Sequence, residues 1–153
     1  LNVLNYEYIY NGGGVGIGDF NNDGLPDIYF SGNQVPSQLY LNRGGMHFED
    51  VTAAADVAGQ NKWCKGVSVV DINNDGWLDI YVCAAVLPDP ELRRNILYIN
   101  QGAAATDGIP HFRDQAAEYG LDDPSNTHMA AFRSTRRDAG PTTLMTATLR
   151  WKP

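Results

Sequence analysis

The sequence predicts an all-β chain of two four-stranded antiparallel units, each carrying an acidic turn, and three observations lead there. A nine-residue pattern, D-x-N-x-D-G-x-x-D, occurs at residues 19–27 and again at 71–79, with first aspartates 52 residues apart. Each copy is bordered by short runs rich in Val, Ile, Tyr and Gly, a composition that suits strands rather than helices. Further strings recur downstream of each copy in the same order, so the whole unit is repeated and not the turn alone.

The elements follow in order. Residues 1–13 read as part of a preceding strand; Tyr6, Tyr8 and Tyr10 alternate along it and suit a strand better than a ligand platform. The first unit, 14–60, opens with the alternating run 14–18, passes through the acidic turn, and leaves along Asp27-Ile28-Tyr29-Phe30. The second, 61–125, repeats this with 66–70 and Asp79-Ile80-Tyr81-Val82. Each acidic turn is thus the loop of a β-hairpin. Residues 38–44 then match 95–102, and 47–52 match 111–116, giving a third strand, a glycine turn and a fourth strand. Residues 87–94 and 103–108 lengthen the second unit and read as loop insertions. Four short antiparallel strands per unit of about 52 to 65 residues is the pattern of a propeller blade. The fold expected is therefore a β-propeller fragment of about two four-stranded blades.

A third unit begins at 126–132, in the role of 61–67, and a third loop is due near Ser134. It does not arrive. Residues 133–153 carry one acidic residue against five Arg or Lys and show no alternation. Two explanations stand: a divergent terminal segment, or a tail translated out of frame. For the second, Met145-Thr146 implies ATG-ACN, which in the shifted frame yields an aspartate codon. Either way, residues after about 133 are expected to pack poorly.

The turns carry the chemistry. Side-chain oxygens of Asp19, Asn21, Asp23 and Asp27, with the carbonyl of Leu25, make one candidate set. Asp71, Asn73, Asp75 and Asp79, with the carbonyl of Trp77, make the other. Glycine at position 6 permits the positive-φ bend that brings both halves of the loop onto one point. All-oxygen ligation without His or Cys suits Ca²⁺, and a small octahedral Mg²⁺ less so. A helix–loop–helix site is excluded, because position 12 is Phe30 or Val82 within a β-rich run rather than a bidentate Glu. The plain alternative is a pair of Asp-Gly hairpin turns with no metal.

Net charge is −7, which disfavours nucleic acid or an anionic membrane as partner. Six of the 18 acidic residues lie in the two loops, and two bound Ca²⁺ would bring the charge to −3. No run approaches the roughly 20 apolar residues of a membrane helix. The chain opens at Leu1 without Met and reads as a fragment of something longer. Cys64 and Cys83 flank the second hairpin; they are either two buried thiols or a bridge across the strands. The glycines of 12–18 suit close strand packing near the propeller axis rather than a dinucleotide, since no helix follows them. His47, His111 and His128 are read as structural, and no nucleophile–base motif is present.

At Gly18-Asp19-Phe20-Asn21-Asn22-Asp23-Gly24, Leu39-Tyr40-Leu41-Asn42-Arg43-Gly44 and Phe48-Glu49-Asp50-Val51-Thr52, the chain resembles the FG-GAP/VCBS repeat family, in the subgroup related to cartilage acidic protein. The resemblance spans about Tyr10 to Phe132. It implies a seven-bladed propeller in the full protein, Ca²⁺ in the two loops named above, and an extracellular, cell-surface or periplasmic setting. The function expected is a non-catalytic calcium-binding module for adhesion or for recognition of an extracellular protein or glycan. The alternative is a non-catalytic or accessory part of a propeller-type polysaccharide-degrading enzyme.

Overall fold

The structure is a computed structural model that describes residues 12–104, 106–135 and 143–150, with the backbone alone for 133–135 and 143–150. The first sheet has the order β1 (Val15–Gly18), β2 (Asp27–Phe30), β3 (Gln38–Asn42) and β4 (Phe48–Asp50). The second has β5 (Cys64–Val70), β6 (Asp79–Ala84), β7 (Ile96–Ala103) and β8 (Pro110–Asp114). Every neighbouring pair is antiparallel. The sequence-level order of two four-stranded units, each with its acidic loop between the first two strands, is what forms. A third sheet pairs β9 (Thr127–Thr135) with β10 (Thr143–Arg150).

Alternation explains how the sheets stack. In β6, Ile80 and Val82 join the core shared with the first sheet, alongside Phe20, Tyr29, Leu39 and Leu41. Tyr81 and Cys83 point the other way, into a second core with Leu97, Ile99, Ala130 and Phe132 of the next unit. Both faces of β6 are therefore covered, and all six of its residues are buried. In β2 only Asp27 and Tyr29 are buried. Val15 and Ile17, matched by the repeat to Val67 and Val69, are 51% and 64% exposed.

The glycines of β1 allow the sheets to approach. A Cβ at Gly16 would lie 2.8 Å from methyls of both Val67 and Val69, and one at Gly18 would lie 2.8 Å from Leu78 Cδ1. The run 12–18 thus serves strand packing, as its composition suggests.

Three details depart from the sequence reading. One helical turn, α1 (Thr52–Ala55), follows β4; Asp50 Oδ1 accepts from Thr52 N–H at 3.0 Å and from its hydroxyl at 2.6 Å. The insertion before β7 holds a 3₁₀ turn at Glu91–Arg93. The tail contributes β10 in a regular ladder with β9, interrupted by one irregularity between Thr148 and Arg150. Residues 1–11, including the three tyrosines, and the site of a third loop at 136–142 lie outside the described residues.

Cys64 and Cys83 are both free and buried. Cys64 lies opposite Ala84 in the ladder, one residue beyond Cys83. Adjacent strand residues face opposite sides, so the two thiols enter different cores; of the two readings, two separate buried thiols is the one that forms. Burial pushes Cys64 up to about 11 and Cys83 to about 12. In the native chain neither thiol is expected to react with Ellman's reagent at pH 8, while both react in denaturant. Rapid native labelling would contradict this packing. Substituting Gly16→Val is expected to destabilise the chain by about 1–3 kcal/mol through overpacking, measurable in denaturant melts.

Candidate metal centre

Each loop is set by its hairpin. Gly18 pairs with Asp27, and Val70 with Asp79, leaving residues 19–26 and 71–78 to reverse the chain. Two residues per loop adopt left-handed backbone: Asn22 and Gly24 at φ 57° and 87°, Asn74 and Gly76 at 59° and 89°. Glycine at position 6 was the expected pivot; the asparagine at position 4 is a second one. Asparagine tolerates that region better than most residues.

Positions 1, 3 and 5 turn their oxygens inward. Asp23 N–H lies 3.1 Å from Asp19 Oδ1 and 3.3 Å from Asn21 Oδ1, so both oxygens converge on one hydrogen. Gly24 N–H donates to Asp19 Oδ2 at 2.8 Å, and Leu25 N–H to Asp23 Oδ1 at 2.8 Å. Asn21 Nδ2 donates to Asp23 Oδ2 at 2.9 Å. The second loop repeats each bond. Asp75 N–H lies 3.1 Å from Asp71 Oδ1 and 3.2 Å from Asn73 Oδ1. Gly76 and Trp77 donate to Asp71 Oδ2 and Asp75 Oδ1 at 3.0 and 2.9 Å, and Asn73 Nδ2 to Asp75 Oδ2 at 2.7 Å.

Position 9 does something else. Asp27 is fully buried; its Oδ2 accepts from Phe20 N–H and its Oδ1 from Asn42 N–H, both at 2.9 Å. Asp79, equally buried, accepts from Ile72 N–H at 2.9 Å and Asn100 N–H at 2.8 Å. Each carboxylate therefore clamps the loop's entry to the third strand of its unit, at the last residue of β3 and within β7. Burial raises both acids, and Asp79 reaches about 6; the two N–H donors pull back down, while the nearby loop aspartates push further up.

Asn42 and Asn100, which fall in the matched segments 38–44 and 95–102, hold the loops. Asn42 Nδ2 donates to the carbonyl of Pro26 at 3.2 Å while its Oδ1 accepts from Gly44 N–H at 2.9 Å. Asn100 makes the same pair with Leu78 and Gly102, at 3.2 and 2.9 Å. Their recurrence two residues before a positive-φ glycine was the available signal.

The donor set of positions 1, 3 and 5 fits a hard divalent cation. It is all oxygen, two members are carboxylates, and the converging oxygens share one long N–H bond that an ion can replace. At position 9 each carboxylate oxygen accepts one backbone N–H. Among the described residues no three His, Cys, Asp or Glu side chains gather closely enough to hold a metal ion.

Residues 8–82 match the FG-GAP-like repeat family. That segment belongs to the family. The FG-GAP-like chain is also 36% identical over 72 residues to Cartilage acidic protein 1 of Homo sapiens, which covers 46% of this chain and 11% of that protein. With Cartilage acidic protein 1 of Xenopus tropicalis it shares 30% identity over 124 residues, 80% of this chain and 18% of that protein. The Mus musculus protein of the same name is 33% identical over 69 residues, 45% of this chain and 11% of its own length. The chain thus spans less than a fifth of the relatives it matches.

The clamp and the ligand positions separate experimentally. In chelator, Asp27→Ala strands two backbone N–H groups and is expected to cost about 2–4 kcal/mol. Asp23→Asn, in the exposed turn, is expected to cost less than about 0.5 kcal/mol under the same conditions. Asp79 adds a pH signature. Its folded value near 6 lies above the ordinary 3.8, so its stabilising contribution is full below about pH 4 and lost as pH rises through 6. The stability gap between the wild-type chain and Asp79→Asn, followed by melts in chelator, is expected to narrow across that window. A gap that widens would contradict the assignment.

Proposed function

We propose that this chain is a non-catalytic calcium-binding repeat module, which uses two cations to rigidify loops that recognise a protein or glycan outside the cytoplasm. One observation carries the reading: the same inward arrangement of oxygens at positions 1, 3 and 5 recurs in both loops with bond lengths matching within 0.2 Å. A plain hairpin turn needs no such set.

The residues that would hold the ions are Asp19, Asn21 and Asp23 in the first loop, and Asp71, Asn73 and Asp75 in the second. The carbonyls of Leu25 and Trp77 complete the sets, and Asp27 and Asp79 join through the lone pairs that their backbone N–H donors leave open. When bound, Ca²⁺ supplies positive charge between the two loop carboxylates, near enough to the buried position-9 acid to offset their mutual repulsion. The chain's own part is to pre-bend the loop at Asn22 and Gly24, or at Asn74 and Gly76, and to anchor it through the position-9 clamp. Support for a setting outside the cytoplasm comes from relatives named for cartilage, a matrix-rich tissue. Extracellular modules take Ca²⁺ at roughly 10⁻⁴ to 10⁻³ M. At ten times its Kd, each ion adds about 1.4 kcal/mol of stability.

Calorimetric titration of the chain with Ca²⁺ is expected to give two sites in that affinity range, with melting raised by calcium and lowered by EDTA. The double variant Asp19→Asn/Asp71→Asn is expected to lose both effects. Melting that ignores calcium and EDTA alike would reduce the loops to metal-free hairpin turns.

A further inference from the structure

The two loops are tied to one another as well as to their own sheets. Asn22, at position 4 of the first loop, donates Nδ2–H to the carbonyl of Gly76 in the second at 3.2 Å. Deeper in, Asn100 Nδ2 reaches across to the carbonyl of Phe20 at 2.8 Å. That bond joins two clamps. Phe20 N–H is held by Asp27, and Asn100 N–H is held by Asp79. The Phe20 carbonyl belongs to the peptide between positions 2 and 3 of the first loop, beside two ligand positions. Asn100 is almost fully buried, and with Nδ2 also on Leu78 and Oδ1 on Gly102, its amide has no idle group.

We propose that the two loops take up their cations cooperatively, with Asn100 as the buried positioning residue of the coupling and Asn22 as a surface strap. The proposal rests on the cation reading above. A cation drawing Asp19 and Asn21 together fixes the Phe20 carbonyl. That carbonyl orients the Asn100 amide, and Asn100 holds the clamp and the Leu78 carbonyl at the exit of the second loop. The strap acts in parallel, because Gly76 is the positive-φ pivot whose N–H binds Asp71. Ordering one loop thereby meets part of the ordering cost of the other, and a second ligand binds better to a framework already ordered. Each loop's three carboxylates outweigh the two charges of its ion, which limits repulsion between the sites. Linkage makes the effect reciprocal.

The test is calcium calorimetry on the full chain with one loop disabled at a time: Asp71→Asn/Asp75→Asn to read the first loop, and Asp19→Asn/Asp23→Asn to read the second. Disabling either loop is expected to weaken the other by about fivefold, equally in both directions. Because replacing buried Asn100 endangers the fold, its role is read by hydrogen exchange. Calcium filling the first loop alone is expected to slow exchange at the Asn100 N–H, and the surface variant Asn22→Ala to shrink the fivefold factor. Two sites that bind calcium with unchanged affinity when their neighbour is disabled overturn the coupling and leave the cation reading standing. No calcium uptake by the intact chain overturns both. An unchanged Asn100 exchange rate, or a factor untouched by Asn22→Ala, overturns the route through those residues.

Discussion

Two buried carboxylates organise the acidic end of this chain. Asp27 and Asp79 each accept one N–H from the start of their own loop and one from the third strand of their unit. Taking a carboxylate out of water is costly, and two charge-assisted bonds recover only part of that cost. The residual strain shows in acids raised above their ordinary value. In return, the clamp fixes where the hairpin loop leaves β1 or β5 relative to β3 or β7. The asparagine amide of the same strand adds a bond to the loop's exit, and positions 1, 3 and 5 remain outside these contacts. A cation there would lower the cost of the buried charge beneath it, since positive charge nearby favours the ionised acid.

Stacking of the sheets follows from strand alternation and from small residues on one side of the contact. β1 contributes Gly16 and Gly18 to the face that meets Val67, Val69 and Leu78, so the strands approach as closely as backbone permits. The result brings one acidic loop within hydrogen-bonding reach of the next. Repetition along the chain thus becomes a physical link between neighbouring loops. In a repeat architecture each unit contacts its neighbours, and here those contacts run through the residues that build the candidate metal centre.

Much of this was legible in the sequence. The spacing of Asp19 to Asp27 against Asp71 to Asp79 announced the hairpins, and the strings after them announced β3, β4, β7 and β8. What escaped depends on contacts that spacing does not encode. Position 9 sits in the acidic pattern as a ligand candidate, and its further role as a clamp shows only in its burial and its bonds to β3 or β7. Asn42 and Asn100 resemble ordinary strand asparagines until their amides are placed against the loop. Thr52–Ala55 is too short for a helical period to register, and its first residue is held locally by two bonds to Asp50. β10 lacked an alternating pattern and is defined by its backbone ladder with β9. For Cys64 and Cys83 the sequence left a bridge open beside two buried thiols, and a one-residue offset in register decides for the thiols by sending them to opposite faces.

The central claim, a hard cation held by positions 1, 3 and 5 of each loop, has a direct optical test. Trp77 lies at position 7 of the second loop, beside the candidate site, and indole transfers excitation to a bound terbium ion. Saturable sensitised emission, displaced by calcium and abolished by Asp71→Asn, is the expected result. Emission that never saturates, or that calcium leaves untouched, would contradict a cation site in that loop.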